Sequence, residues 1–338
     1  MQYMPFEAHG ATMRRWKGRR VLVTGSAGFI GSHLVETLMA AGADVRALVR
    51  YSSTRGLGAL SEIGPDCRPE VYYGDLRDAA AVERAVAGCE VIFHLGALIS
   101  IPYSYENPGA YLATNLFGTY HVLEACRRHE AGRCVVVSSS EVYGSALYVP
   151  IDEGHPLQAQ SPYSASKIAA EKLAESYWRS FGLPVSVVRP FNTYGPRQST
   201  RAVIPQVLSQ LLLGNRVVLG NLAPRRDFLY VRDTVAGLMA VAASEAAVGE
   251  TFNLGTGCDV SIEELAALAG EILHRSPELS LDQARTRPET SEVTCLKADA
   301  GKAKLLLGWV PAVQLEEGLR HTAAWLSART ALSGEYHI

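Results

Sequence analysis

Val21-Leu-Val-Thr-Gly25-Ser-Ala-Gly28-Phe-Ile-Gly31-Ser-His-Leu34 decides the fold. A short run of β-formers ends in three glycines at fixed spacing, and an amphipathic helical pattern follows at once, so the stretch reads as strand, tight turn and helix N-terminus. Gly25 can take the φ that the turn needs, Gly28 lets a pyrophosphate approach the backbone, and Gly31 lets helix and strand pack closely. The N–H groups of the first helical residues, Phe29 and Ile30, and the positive end of the helix dipole then meet the phosphates. A dinucleotide site is expected here.

Working outward, Asp44-Val-Arg-Ala-Leu-Val-Arg50 has a buried-strand pattern. An NAD-specific site usually carries an acid at the end of this strand for the ribose hydroxyls. This strand ends instead in Arg50-Tyr-Ser52-Ser, and an arginine flanked by hydroxyls suits a 2′-phosphate; NADP is expected, with NAD as the alternative. Val71-Tyr-Tyr-Gly-Asp75-Leu76 and Val91-Ile-Phe-His-Leu95-Gly-Ala97 read as the next two strands. The first ends in an acid near the adenine position, the second in small residues that let the cofactor pass. His94 is expected to be a packed core histidine. Strands alternating with helices argue an α/β, Rossmann-type doubly wound parallel sheet with ligands at its carboxyl ends.

Further along, a strand from Cys134 runs into Ser138-Ser139-Ser140-Glu141, three hydroxyls and a carboxylate that packing alone does not explain. Ser161-Pro162-Tyr163-Ser-Ala-Ser-Lys167 then opens a helix, with Tyr163 and Lys167 on one face. An ammonium beside a phenol favours phenolate, which makes tyrosine a usable general base. Beyond Pro190 the alternation loosens, and the rest reads as a smaller substrate-covering lobe. The expected organisation is an extension over 1–19, a mainly cofactor-binding domain over 20–190, a mainly substrate-binding lobe over 191–330 and a tail over 331–338.

The bulk properties exclude other classes. A formal net charge of −2 over 338 residues gives no electrostatic reason to expect nucleic acid or an acidic membrane. No apolar run is long enough to span a bilayer. The six cysteines have no paired spacing and read as reduced thiols of a cytoplasmic protein, with no metal site.

Together Gly25-x-x-Gly28-x-x-Gly31, Ser138–Glu141, Tyr163-x-x-x-Lys167, Arg189-Pro-Phe-Asn-Thr-Tyr-Gly-Pro196, Arg226-Asp-Phe-x-Tyr-Val231 and Arg287-Pro resemble the extended short-chain dehydrogenases that act on nucleotide-diphosphate sugars. Within that family the Ser-Ser-Ser-Glu-Val-Tyr-Gly stretch resembles sugar 4,6-dehydratases. It is similar above all to GDP-mannose 4,6-dehydratase and to the N-acetylhexosamine-nucleotide dehydratases of the legionaminic acid pathway. The resemblance implies a tightly bound, recycled cofactor and a homodimer built on helices around Ala110–His129 and Ala165–Phe181. It implies that Tyr163 with Ser139 removes the C4 hydroxyl proton, that Lys167 holds the nicotinamide ribose, that Glu141 takes the C5 proton and that Ser140 assists loss of the C6 hydroxyl. It also places Leu76, Leu95, Ala97 and Asn115 against the cofactor, and Ser100, Asn192, Arg197, Arg226 and Arg287 against the substrate. Nucleotide-sugar 4-epimerases and UDP-glucuronate decarboxylases of the same fold are the nearest rivals, and a non-catalytic dinucleotide-binding regulator is the rival of a different class.

Overall fold

A computed structural model describes residues 15–53, 56–64, 67–282 and 288–333. Arg287, most of the 1–19 extension and most of the 331–338 tail lie outside the described residues.

Seven parallel strands form the central sheet: β1 (Arg20–Thr24), β2 (Asp44–Arg50), β3 (Glu70–Gly74), β4 (Val91–His94), β5 (Arg133–Val137), β6 (Val185–Pro190) and β11 (Thr251–Leu254). Their order is β11-β6-β5-β4-β1-β2-β3. Strand order therefore reverses between β1 and β4, and the crevice beyond their carboxyl ends is where such sheets bind ligands. The strands are apolar on both faces because helices cover both; Val21, Leu22 and Val23 are all fully buried. On one face lie α1 (Phe29–Ala40) and α6 (Val231–Ala243), and on the other α2 (Ala79–Val86), α3 (Gly118–Arg128) and α4 (Pro162–Phe181), each side with its own apolar cluster.

The long helical pattern expected around Ala110–His129 is interrupted. A short helix, Pro108–Tyr111, passes through a π turn at Leu112–Phe117 before α3 begins. The stretch Arg225–Val231 does not form one strand but divides into β9 (Arg225–Arg226) and β10 (Phe228–Tyr230), with Val231 already opening α6. Its break is Asp227, whose buried carboxylate accepts hydrogen bonds from the N–H groups of Thr256, Gly257 and Ala298 and from the Thr256 hydroxyl. Those bonds draw the chain out of a continuous ladder.

The C-terminal lobe packs α5 (Val203–Leu213), α7 (Ile262–Leu273) and α8 (Leu315–Ser333) around a third apolar cluster, with β7 (Asn192–Tyr194) paired to β10 and β8 (Arg216–Leu219) paired to β12 (Glu278–Leu281). Ser261 and Glu264 cap α7 reciprocally, at 3.0 and 2.8 Å, as the spacing predicts. β11 and α6 come from this half of the sequence but belong to the central sheet. The 1–19 segment is likewise not all peripheral: Trp16 is buried against Phe93.

Three ties join the C-terminal lobe to the glycine-turn side. His33 bonds the Pro196 carbonyl at 2.9 Å, and Arg197 pairs with Glu36 at 2.7 Å. The third involves a turn, Gly58–Glu62, that folds back on the glycine loop through Ala59 N–H to the Ala27 carbonyl at 2.9 Å. Glu62 of that turn accepts from the Trp325 indole of α8 at 3.2 Å and pairs with Arg329.

Candidate active site

The crevice begins at the three glycines. Gly25 has φ +69°, and a Cβ on it would stand 2.7 Å from the Gly96 nitrogen of the opposite wall. A Cβ on Gly31 would stand 2.2 Å from the Gly25 carbonyl oxygen, so α1 reaches the turn only because this residue has no side chain. Gly28 is the N-cap of α1, and no side chain caps that helix, which leaves first-turn N–H groups for an anion. This cradle fits a dinucleotide pyrophosphate.

The facing wall is Leu95–Ala97. Gly96 donates to Thr24 Oγ1 at 3.0 Å, and its missing Cβ would lie 2.6 Å from Leu76. His94 sits beneath, bonded to Thr24 and Thr119, and burial pushes its pKa down to about 3, which keeps it neutral. Asn115, in the π turn, accepts from Leu98 N–H at 2.8 Å and donates to the Leu98 carbonyl and the Ser166 hydroxyl, both at 3.0 Å. Its side chain shapes the wall by joining the loop after β4 to α4.

At the adenosine end Arg50 is exposed at the tip of β2, in register with Gly74 of β3. Asp75 follows, held by a fork from Arg77 at 2.9 and 2.6 Å, and the Arg77 hydrogen bonds keep its pKa below the usual carboxylate range. Ser52 stands half-buried two residues beyond Arg50.

The reactive end is built by β5, a short 3₁₀ turn and α4. Ser139 caps the Ser140–Tyr143 turn, accepting from Glu141 N–H at 3.2 Å. Ser161 caps α4 in a reciprocal box with Ser164, and Pro162 occupies the first turn. That cap sets Tyr163 and Lys167 inward, both only 6 % exposed. Ser139 stands beside the Tyr163 hydroxyl, and the Tyr163 ring stands edge-on to Tyr111 at 6.3 Å. Burial pushes Tyr163 up to about 12; Ser139 acts against this and the Glu141 charge with it. Lys167 donates to the Val137 carbonyl at 2.6 Å, and burial pushes it down to about 8, with Glu171 acting the other way. The expected depression of the Tyr163 pKa by Lys167 is therefore not seen in this arrangement. The ammonium is turned to a backbone carbonyl, and burial dominates both groups.

Substrate-side residues are less uniform. Asn192 has a buried side-chain oxygen with no partner in the structure, while its N–H bonds the Asp227 carbonyl at 3.0 Å. Arg226 is buried, donates to the Arg225 carbonyl at 3.0 Å and lies 3.6 Å from Glu292. Ser100 is the N-cap of the short helix Ile101–Glu106, and its carbonyl accepts from the Tyr111 hydroxyl. Arg197, at 5 % side-chain exposure, pairs with Glu36 on α1. Among the described residues no group of three His, Cys, Asp or Glu could hold a metal ion, and no helix is long and apolar enough to cross a membrane.

Residue patterns alone missed a buried set behind the reactive end. Arg189 of β6 forks onto Glu171 at 2.6 and 3.0 Å and donates to the Tyr143 hydroxyl at 2.8 Å. Glu171 follows Lys167 by four residues, the same spacing that picked out Tyr163 with Lys167. That repeat was the available signal.

Comparison with known proteins agrees with this geometry. The family model described as GDP-mannose 4,6 dehydratase matches residues 22–322. A dTDP-glucose 4,6-dehydratase from an Actinoplanes species is 34% identical over 317 residues, covering 91% of this chain and 98% of that protein. A UDP-glucose 4-epimerase from Mycolicibacterium smegmatis is 35% identical over 311 residues, covering 90% and 97%. Among solved structures, a double mutant of the Streptomyces venezuelae dTDP-glucose 4,6-dehydratase with NAD bound superposes with TM-score 0.83 at 31% identity, covering 93% of this chain and 98% of that one. With the glycine cradle, the Ser139–Tyr163–Lys167 set and the family match over most of its length, the chain belongs to the NAD(P)-binding extended short-chain dehydrogenases that modify nucleotide sugars, in the GDP-mannose 4,6 dehydratase family.

Proposed function

We propose that this enzyme is a nucleotide-diphosphate-hexose 4,6-dehydratase that makes a 4-keto-6-deoxy sugar. The observation that carries the reading is Glu141: a carboxylate in the turn capped by Ser139, close enough to Tyr163 for its charge to act on the phenol. An epimerase oxidises C4 and returns hydride to the same carbon, so it has no use for a base there. Elimination of water across C5 and C6 needs one.

The glycine cradle and Lys167 would hold the dinucleotide, whose nicotinamide would supply the hydride chemistry of the cycle, from C4 of the sugar to C6. Tyr163, sharing its hydrogen bond with Ser139, takes the C4 hydroxyl proton. Lys167 holds the nicotinamide ribose from its buried position. Once C4 is a ketone the C5 proton is acidic, and Glu141 removes it and passes it to the C6 hydroxyl, which Ser140 orients and which leaves as water; as hydride adds at C6, a solvent proton delivered through Glu141 restores C5. Positioned acid–base groups of this kind contribute about 10²–10⁴-fold each. The buried Arg226 holds the sugar diphosphate, Asn192, with its unpartnered oxygen, accepts from a sugar hydroxyl, and Ser100 adds a further contact; the Arg287-Pro sequence motif assigns Arg287 to the diphosphate as well. Arg50 and Ser52, with no carboxylate at the tip of β2, favour NADP over NAD. A homodimer fits the exposed Phe117, Tyr120 and Phe181, apolar residues at the start of α3 and the end of α4.

The test is mass spectrometry of the purified protein with GDP-, UDP-, dTDP- and CDP-hexoses, N-acetylated ones included. A product lighter by one water, formed without net cofactor consumption, is the expected result, and Glu141→Gln abolishes it. A product of unchanged mass identifies an epimerase, and loss of carbon dioxide from UDP-glucuronate a decarboxylase. The same spectrometer, under native conditions, identifies the nucleotide that co-purifies.

A further inference from the structure

We propose that Glu171, Arg189 and Tyr143 are positioning residues, a buried brace that sets the turn carrying Glu141 against the helix carrying Tyr163 and Lys167. The inference rests on the dehydratase reading, because only an elimination needs those two groups to act on adjacent carbons.

The connection can be walked residue by residue. Glu171 lies on α4, one turn beyond Lys167 and two beyond Tyr163. Its carboxylate is gripped by Arg189, through Nε at 3.0 Å and Nη2 at 2.6 Å. The remaining face of the guanidinium goes to Tyr143: Nη1 donates to the hydroxyl at 2.8 Å, and the guanidinium carbon lies 4.9 Å from the ring centroid. That hydroxyl in turn donates to Asn253 Oδ1 on β11 at 2.6 Å. Tyr143 ends the 3₁₀ turn, two residues after Glu141. All four side chains are buried.

Two physical points argue that the set is there for geometry. A buried ion pair rarely stabilises a fold more than apolar residues of the same volume would, so stability alone does not account for it. The turn it reaches is also weakly self-supporting: its closing backbone bonds, Val142 N–H to Ser139 and Gly144 N–H to Glu141, are both 3.3 Å long. Gln158 adds a tie, donating through N–H to the Val142 carbonyl at 2.9 Å and through its amide to the Tyr143 carbonyl at 3.2 Å. Gln158 thus keeps the turn formed, while the brace fixes where it stands relative to α4. A displacement of about 1 Å between reacting groups can cost on the order of 100-fold in rate.

The experiment is Tyr143→Phe, which removes one hydroxyl and leaves the ring and the Gln158 tie in place. Rapid mixing with the nucleotide hexose follows C4 oxidation by nicotinamide absorbance and elimination by the appearance of the dehydrated product. The expected result is C4 oxidation within a few-fold of wild type and elimination slowed about 10- to 100-fold, with wild-type circular dichroism and cofactor content. Glu171→Gln, which can still bond Arg189 without the charge, is the second variant and is expected to show the same split more weakly. Unchanged rates for both steps, or equal slowing of both, would overturn the inference, as would a collapsed fold in both variants, since the brace would then be structural. A wild-type enzyme that oxidises no nucleotide hexose sinks the dehydratase reading itself, a distinct outcome visible before any variant is made.

Discussion

The sheet side of the crevice and the C-terminal side are held together by different physics. Around β5 and α4, each reactive group is placed by neighbours close in sequence: Ser139 caps the turn that bears Glu141, Ser161 caps the helix that bears Tyr163, and Lys167 follows one turn later. In the C-terminal lobe, each arginine of interest meets an acid far away along the chain: Arg197 reaches Glu36, and Arg226 lies near Glu292. On the sheet side the elements that carry the reactive groups are shaped locally, and only their setting against each other is left to the Arg189 brace. In the C-terminal lobe, whether an arginine serves substrate or scaffold depends on which acid the fold delivers to it.

Four measurements would break or sharpen that contrast. The largest effect belongs to the local side: Tyr163→Phe is expected to lower kcat/KM by about 10²–10⁴-fold with an unchanged fold, read by steady-state kinetics alongside circular dichroism. Next comes acid sensitivity. Burial holds both His94, in the sheet, and His33, on the inter-lobe tie, at about 3. Their unfolded value of 6.5 is higher, so below pH 6.5 the unfolded chain binds protons that the folded one refuses. Their contribution is intact above pH 6.5 and is lost as pH falls toward 3, by up to about 1.4 kcal/mol per pH unit for each histidine. Urea midpoints from pH 7 to 4.5 should fall accordingly, and His94→Asn should flatten the slope; an equal slope in the variant would remove His94 from the account.

For the C-terminal side, Arg226→Gln should raise KM about 10- to 100-fold, the worth of a charge-assisted hydrogen bond or two, with little change in kcat. The smallest effect is expected of Arg197→Gln, which should lower unfolding free energy by about 1–2 kcal/mol through the lost Glu36 pair while leaving KM alone. A raised KM at unchanged stability would reverse the assignment of Arg197 to scaffold.

The same contrast explains what was legible in the sequence. The glycine turn, the two capped helices and the Tyr163/Lys167 pair are short-range patterns whose geometry follows from 3.6-residue periodicity and turn chemistry. The Glu36 partner of Arg197 could not be read that way, because the two meet only once α1 and the loop after β7 are packed together. The division of the Arg225–Val231 stretch has the same origin, since Asp227 is satisfied by Thr256, Gly257 and Ala298. The π turn at Leu112–Phe117, which aims Asn115 at Leu98, has no local signature that would distinguish it from ordinary helix.

The tie between Glu62 and α8 bears on the order in which the enzyme is made. The glycine turn leaves the ribosome before the sheet strands that follow it in sequence. Yet the turn over Ala27 gains its Trp325 and Arg329 contacts only when α8 emerges, some 260 residues later. A nascent chain therefore makes the glycine turn well before the clasp that covers it can close.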